Sequence, residues 1–330
     1  MSATTTTTTT ATTTSVRARR ARSTELIQSY GVLAVLLVVC AVAAFVFPRF
    51  ATSTNLVAIL TAACFVGLIT VGQSFVLISG GIDLSVGAVL GLGSVLAALV
   101  APSGWLLALL VPVATGAAIG MLNGLLVGRA KLAPFIVTLA AMLAVQGVAV
   151  ALAGSSIVIE QSTFTDIGSG SLLGVPTLVW ILLAVFAVGA LVLNRTRFGA
   201  DVFAVGGNED AARMMGVDLA RTRILVFVIS GALAGLAGAL LASYLSSGVA
   251  TLGRGYELTS IAAAVIGGVL LTGGVGRLLG ALGGVLLVQL IENLINQVGT
   301  LNAYYQDLAT GLFLVVAVVV QGLLTERRRR

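Results

Sequence analysis

The stretch Thr177–Arg197, TLVWILLAVFAVGALVLNRTR, is an apolar run that stops abruptly at Arg195 and Arg197. Eighteen uncharged positions suffice to cross most of a hydrocarbon layer ~30 Å thick at ~1.5 Å per helical residue. The same design repeats outward in both directions. Ten such blocks are legible, at about 30–47, 55–79, 84–100, 105–128, 134–153, 177–194, 223–245, 258–272, 277–297 and 305–324. Counting them alternately across a membrane puts Arg17, Arg19, Arg20, Arg22, Arg129, Lys131, Arg195, Arg197, Arg213, Arg221, Arg223, Arg277 and Arg327 to Arg330 on one side. Of the basic residues, only Arg49 and Arg254 then fall on the other. Such an excess of Lys and Arg marks cytoplasmic loops. The sequence therefore predicts an all-α polytopic membrane protein with about ten transmembrane helices and both termini cytoplasmic, in a bacterial plasma (inner) membrane.

Composition narrows the function classes. The 330-residue chain is 58% hydrophobic and only 9% charged, with mean hydropathy +1.12, where about a quarter charged is usual for a water-facing domain. Its net charge of +6 is split among separate loops. No continuous basic stripe forms, which argues against a nucleic-acid partner. Histidine is absent and the two cysteines, Cys40 and Cys64, lie within apolar blocks, so neither metal nor disulfide is expected. Three segments follow: a threonine-rich, disordered cytoplasmic tail at 1–29, a transmembrane domain at 30–324, and a basic tail at 325–330. The 195–222 loop is the longest on the arginine-rich side, and 154–176 the longest on the other.

Glycine is abundant at 40 residues. Gly116, Gly120, Gly124 and Gly128 step every four residues along the fourth block, and Gly276, Gly280 and Gly284 do so at the ninth. Small residues at this spacing let helices approach closely in lipid. Gly81-Ile82-Asp83-Leu84-Ser85 opens the third block and Gly255-Tyr256-Glu257-Leu258-Thr259 opens the eighth. Five blocks separate them, the offset an inverted 5+5 repeat requires.

Asp83 sits between two apolar blocks near the arginine-rich interface. An ionised carboxylate at the centre of a bilayer costs ~2.5–3.5 kcal/mol on insertion scales. Asp83 reads either as the N-terminal cap of a helix broken at Gly80 and Gly81 or as the cap of an interfacial turn facing water. On the ninth block, Gln289, Glu292, Asn293 and Asn296 share one helix face. With Asp83, Ser85 and Asn123 they are the candidate residues of a translocation path. In the long loop, Asn208 is a good N-cap, Glu209 and Asp210 suit a positive helix end, and Gly216 suits a left-handed C-terminus. Ala211, Ala212, Met214 and Met215 would offer a compact surface to a partner, with a solvated helix as the plainer reading.

Two of these motifs carry a resemblance. Gly80-Gly81-Ile82-Asp83-Leu84-Ser85-Val86-Gly87 and Gly206-Gly207-Asn208-Glu209-Asp210-Ala211-Ala212-Arg213-Met214-Met215-Gly216-Val217 closely resemble permeases of bacterial ABC sugar importers of the ribose/galactose/xylose type. Gly267-Gly268-Val269, Gly273-Gly274-Val275-Gly276, Asn123-Gly124-Leu125-Leu126-Val127 and Pro134-Phe135-Ile136-Val137-Thr138-Leu139 fit the same family, in order, over about 30–324. The resemblance implies a homodimer of permeases, a cytoplasmic ATP-binding subunit, an extracytoplasmic sugar-binding protein and a monosaccharide substrate. It also implies that Asn208, Glu209, Ala211, Ala212, Arg213 and Gly216 belong to the segment that docks on the ATPase. The chain has no GxxxxGK[ST] phosphate loop, so ATP and Mg belong on the partner and this chain is a transport subunit, not an enzyme. Two alternatives stay open. One is an ABC permease for a branched-chain amino acid, a nucleoside or a furanone-type signal. The other is an ion-coupled secondary transporter, which would need paired acids or histidines at mid-membrane.

Overall fold

The computed structural model describes residues 31–298 together with Tyr305, Leu308, Gly311, Leu312, Val315 and Val319. The segments 1–29 and 325–330, and most of the tenth block, lie outside the described residues. Helix α1 is Gly31–Val46; α2 is Ser53–Ile78, α3 Val86–Val100, α4 Trp105–Gly128 and α5 Pro134–Leu152. On the glycine- and serine-rich far side follow β1 (Ile157–Val158), α6 (Ser162–Ser169), and the hairpin β2 (Ser171–Leu172) and β3 (Val175–Pro176). The chain continues with α7 (Thr177–Arg195), α8 (Arg197–Gly207), α9 (Glu209–Met214) and α10 (Leu219–Leu245). Strand β4 (Ser247–Gly248), α11 (Tyr256–Ile266) and α12 (Leu278–Val298) complete the described elements.

Seven of these helices are long and apolar enough to cross a membrane: α2, α3 with its 3₁₀ extension to Ser103, α4, α5, α7, α10 and α12. The eighth block departs from the expectation. It forms only the 11-residue α11, about 16 Å long and so half a bilayer core. Gly267 ends it, and Gly268, Gly273 and Gly274 all adopt positive φ, at 90°, 82° and 74°. Apolar composition could not reveal this, because 267–277 keeps its hydropathy while glycine removes its helix.

Helix α10 is the core of the bundle, with α4 crossing it antiparallel at van der Waals distance. A methyl added at Gly116, Gly120 or Gly124 would overlap the backbone of Gly231, Phe227 or Ile224 respectively. This is what the four-residue glycine spacing prepares for. Gly284 meets the Ala263 carbonyl in the same way, and Gly267 meets Ala281, so α12 lies antiparallel on α11.

Two irregular stretches run inside the helical layer. Residues 79–85 rise from the end of α2 to the start of α3, and 249–255 descend beside α3 to the start of α11. The second is tracked by successive neighbours: Gly248 packs on Ala98 and Ser94, Gly91 on Ala250, and Gly87 on Gly253. Eleven residues of α3 separate the first contact from the last, a descent of about 16 Å. Backbone at membrane depth is tolerated only where protein satisfies it. Here α5 supplies two donors, Thr138 Oγ1 to Ile82 O at 3.3 Å and Gln146 Nε2 to Ala250 O at 3.1 Å. Ser94 Oγ donates to Val249 O and accepts from Val249 N. The 154–176 segment lies on the far end of α10: β1 pairs with β4, and Ser243 Oγ donates to Phe164 O and accepts from Gly168 N.

Candidate functional site

Asp83 is fully buried. Its Oδ1 accepts from Ser85 N at 3.0 Å and Ser85 Oγ at 2.6 Å, and its Oδ2 accepts from Ser230 Oγ at 2.8 Å. Asn123 Nδ2 on α4 donates to Ser85 Oγ at 3.0 Å. The start of α3 and the middle of α10 thus meet at one carboxylate, and α4 joins them through Ser85. Ser85, the residue before α3, makes no side-chain cap bond of its own. Asp83, two residues earlier, accepts the Ser85 N–H, the bond by which an acid caps a helix. The water-facing alternative fails, because Asp83 is buried and Ser230 is the twelfth of the 27 residues of α10. Asp83 therefore lies near the middle of the longest helix, not at its arginine-rich end.

Glu257 stands at the counterpart position in α11 and was not among the sequence candidates. Its Oε1 accepts from Gly255 N at 3.2 Å, and its carboxylate lies against Gly87, where any side chain on residue 87 would overlap it. The first turns of α3 and α11 therefore meet at one acid, each presenting the positive end of a helix dipole. Glu257 is only partly buried. Its place in the echo of residues 81–85 was the available signal. Ser230 gave none, being one hydroxyl in an apolar helix.

The polar face of α12 forms a second cluster. Gln289 Nε2 donates to Glu292 Oε2 at 2.8 Å, and Gln297 Nε2 to Asn293 Oδ1 at 2.8 Å. Asn293 Nδ2 reaches Asn55 Oδ1 on α2 at 2.9 Å. Asn296 lies exposed on the same helix. The seven path candidates thus divide into two clusters, one around Asp83 and one between α12 and the start of α2.

The arginine-rich side carries a rigid projecting turn. Asn208 Oδ1 accepts from Ala211 N at 3.0 Å, at the start of α9. Gly216 closes α9 at φ 81°, with Gly216 N donating to Arg213 O and Val217 N to Ala212 O. Glu209 Oε2 pairs with Arg223 at 2.6 Å and its Oε1 with Arg213 at 3.5 Å, tying α9 to α10. Met214 and Met215 are 84% and 71% exposed, an unusual display for large apolar side chains. Ala212 does not join that surface. It is fully buried, because one face of the short helix lies against the bundle. A cleft of about 500 Å³ beside the turn is lined by Arg197, Asp201, Met215 and Arg221.

Residues 55–318 match the family model described as "Branched-chain amino acid transport system / permease component". The chain is 40% identical to the inner membrane ABC transporter permease protein YjfF of Escherichia coli strain K12, over 84% of this chain and 87% of that protein. It is 39% identical to the ribose import permease protein of the same strain, over 87% of this chain and 92% of the relative. Against the L-arabinose ABC transporter permease protein of Azospirillum brasilense it is 36% identical, over 92% and 91%. No solved structure matches the chain significantly.

Proposed function

The chain belongs to the branched-chain amino acid transport system / permease component family, and from that premise we propose that it forms the membrane passage of an ATP-driven monosaccharide importer. The observation that carries the sugar is the 36–39% identity to ribose and arabinose permeases across nearly their whole length. The arginine-rich ends face the cytoplasm of a bacterial inner membrane, in keeping with the charge bias. The exposed Met214–Met215 turn then seats on a cytoplasmic ATP-binding subunit, which holds ATP and Mg. A sugar-binding protein delivers the solute to the opposite face, over 154–176. Two copies of the chain make up the passage.

A sugar is neutral and rich in hydroxyls, so its route needs hydrogen-bonding groups without a strong countercharge. The amides along α12 are groups of that kind, whereas the amide and hydroxyls around Asp83 are buried and bonded within their own cluster. Glu257 is a partly exposed acid where the first turns of α3 and α11 meet, a position expensive against lipid and suited to a watered route. ATP-driven closure of the ATPase shifts the chain between outward-open and inward-open arrangements, a two-state equilibrium biased by nucleotide.

A transport assay tests this reading. The chain is expressed with its ATPase and binding protein in cells lacking their own pentose permeases, and radiolabelled ribose, arabinose, galactose and leucine are offered. Uptake of a sugar that stops on ATP depletion and survives an uncoupler is the expected result. Leucine uptake alone would transfer the solute to the amino acid that the family description names. Uptake that collapses with the ion gradient would make the chain a secondary transporter.

A further inference from the structure

Three glycine turns from distant parts of the chain touch backbone to backbone beneath the projecting α9 turn. Helix α8 ends in Gly206-Gly207, immediately before Asn208. A methyl on Gly206 would overlap the carbonyl oxygen of Ile78, the last residue of α2, and come within 2.7 Å of Gly274 N. A methyl on Gly273 would stand 2.8 Å from Gly206 O and 3.0 Å from both Cα and N of Gly80. Gly274 N donates to Ile78 O at 2.8 Å. Gly80, Gly273 and Gly274 all have positive φ, at 82°, 82° and 74°, a conformation that favours glycine on its own account.

These segments are not equivalent neighbours. Gly80 opens the irregular rise to α3, Gly273 and Gly274 belong to the loop between α11 and α12, and Gly206 leads into α9. One contact therefore links the surface turn to both interrupted helices. Side chains between two elements absorb small displacements by changing rotamer, whereas backbone against backbone has no such slack, and close-packed interiors transmit strain. We propose that Gly206, Gly273 and Gly80 form a transmission junction through which displacement of the α8–α9 segment moves 79–85 and 267–277 as one body. Gly206 is a positioning residue in this account. The proposal rests on the reading that an ATPase seats on α9.

Gly207 supplies an internal control, since a methyl there meets nothing within 4 Å. The wild-type chain, Gly206→Ala and Gly207→Ala are each reconstituted in proteoliposomes with the ATPase and binding protein, and sugar moved per ATP hydrolysed is measured. Gly206→Ala is expected to recruit the ATPase and hydrolyse ATP while losing about tenfold in that ratio, and Gly207→Ala to keep it. A Gly206→Ala chain that recruits the ATPase and transports with the wild-type ratio overturns the junction alone. A wild-type chain that recruits no ATPase overturns the functional reading, and the junction with it. Should Gly206→Ala fail to fold, spin labels on Gly207→Cys and Thr272→Cys decide, in a chain with Cys40 and Cys64 replaced by alanine. One unchanged distance in nucleotide-free and ATP-trapped complexes supports a single body, and a distance that shifts between the two overturns it.

Discussion

The Ser230 hydroxyl donates a 2.8 Å hydrogen bond to the Asp83 carboxylate across 147 positions of sequence. Ser230 sits in the middle of the longest helix, and Asp83 in the irregular rise to α3, so this bond fixes the depth at which α3 begins. A buried acceptor that loses one donor is costly, by about 1–3 kcal/mol. Ser230→Ala should lower the melting temperature of the purified chain in detergent. Asp83→Ala, which strands both Ser85 donors as well, should lower it further. Equal melting of all three chains would show that the node carries no structural load.

The α4–α10 crossing makes a contrast between two glycines. Gly120 lies on the Phe227 backbone, while a methyl on Gly147 in α5 meets nothing within 4 Å. Gly120→Leu should cost about 1–3 kcal/mol through overpacking, or prevent folding. Gly147→Ala should stabilise its helix by up to ~1 kcal/mol. Monodisperse yield and thermal melting read both, and a tolerated Gly120→Leu would disprove the close crossing.

Gln73 on α2 is fully buried, and neither its Oε1 nor its Nε2 finds a hydrogen-bond partner among the described residues. An unsatisfied buried amide costs about 1–3 kcal/mol, recoverable by an apolar residue of similar shape. Gln73→Leu should therefore raise the melting temperature of the chain. A lower value would show that the amide is satisfied in the assembled protein.

Gly216 ends α9 at φ 81°, a conformation that is a genuine outlier for a β-branched residue. Gly216→Val should distort the turn and lower the sugar moved per ATP, with membrane insertion unaffected. Asn208→Ala, which removes the N-cap at a cost of about 1 kcal/mol, should act in the same direction more weakly. Unaltered ratios for both would remove the turn as a docking element.

What was legible in the sequence divides by physical cause. Apolar length and arginine placement disclose the long spans, because hydropathy over ~20 residues is a bulk property. The ends of α9 were legible from Asn208 and Gly216, since caps are local chemistry. The depth of Asp83 was not legible, because it depends on Ser230, a partner in a helix distant in sequence. The shortness of α11 was hidden for a related reason. In the sequence Gly267, Gly268, Gly273 and Gly274 carry only the family resemblance, and the break shows in the positive φ of the last three and in the backbone contacts of Gly267, Gly273 and Gly274. Ala212 was misplaced on the outer surface because composition alone does not say which face of a six-residue helix turns inward.

The most direct measurement of the central claim is uptake by proteoliposomes containing this chain, its ATPase and a sugar-loaded binding protein, with ATP supplied on the side to which α9 projects. The account predicts accumulation of a monosaccharide that requires hydrolysable ATP and disappears when the ATPase is omitted. Accumulation that proceeds without the ATPase, or a purified chain to which no ATP-hydrolysing subunit binds, would contradict it.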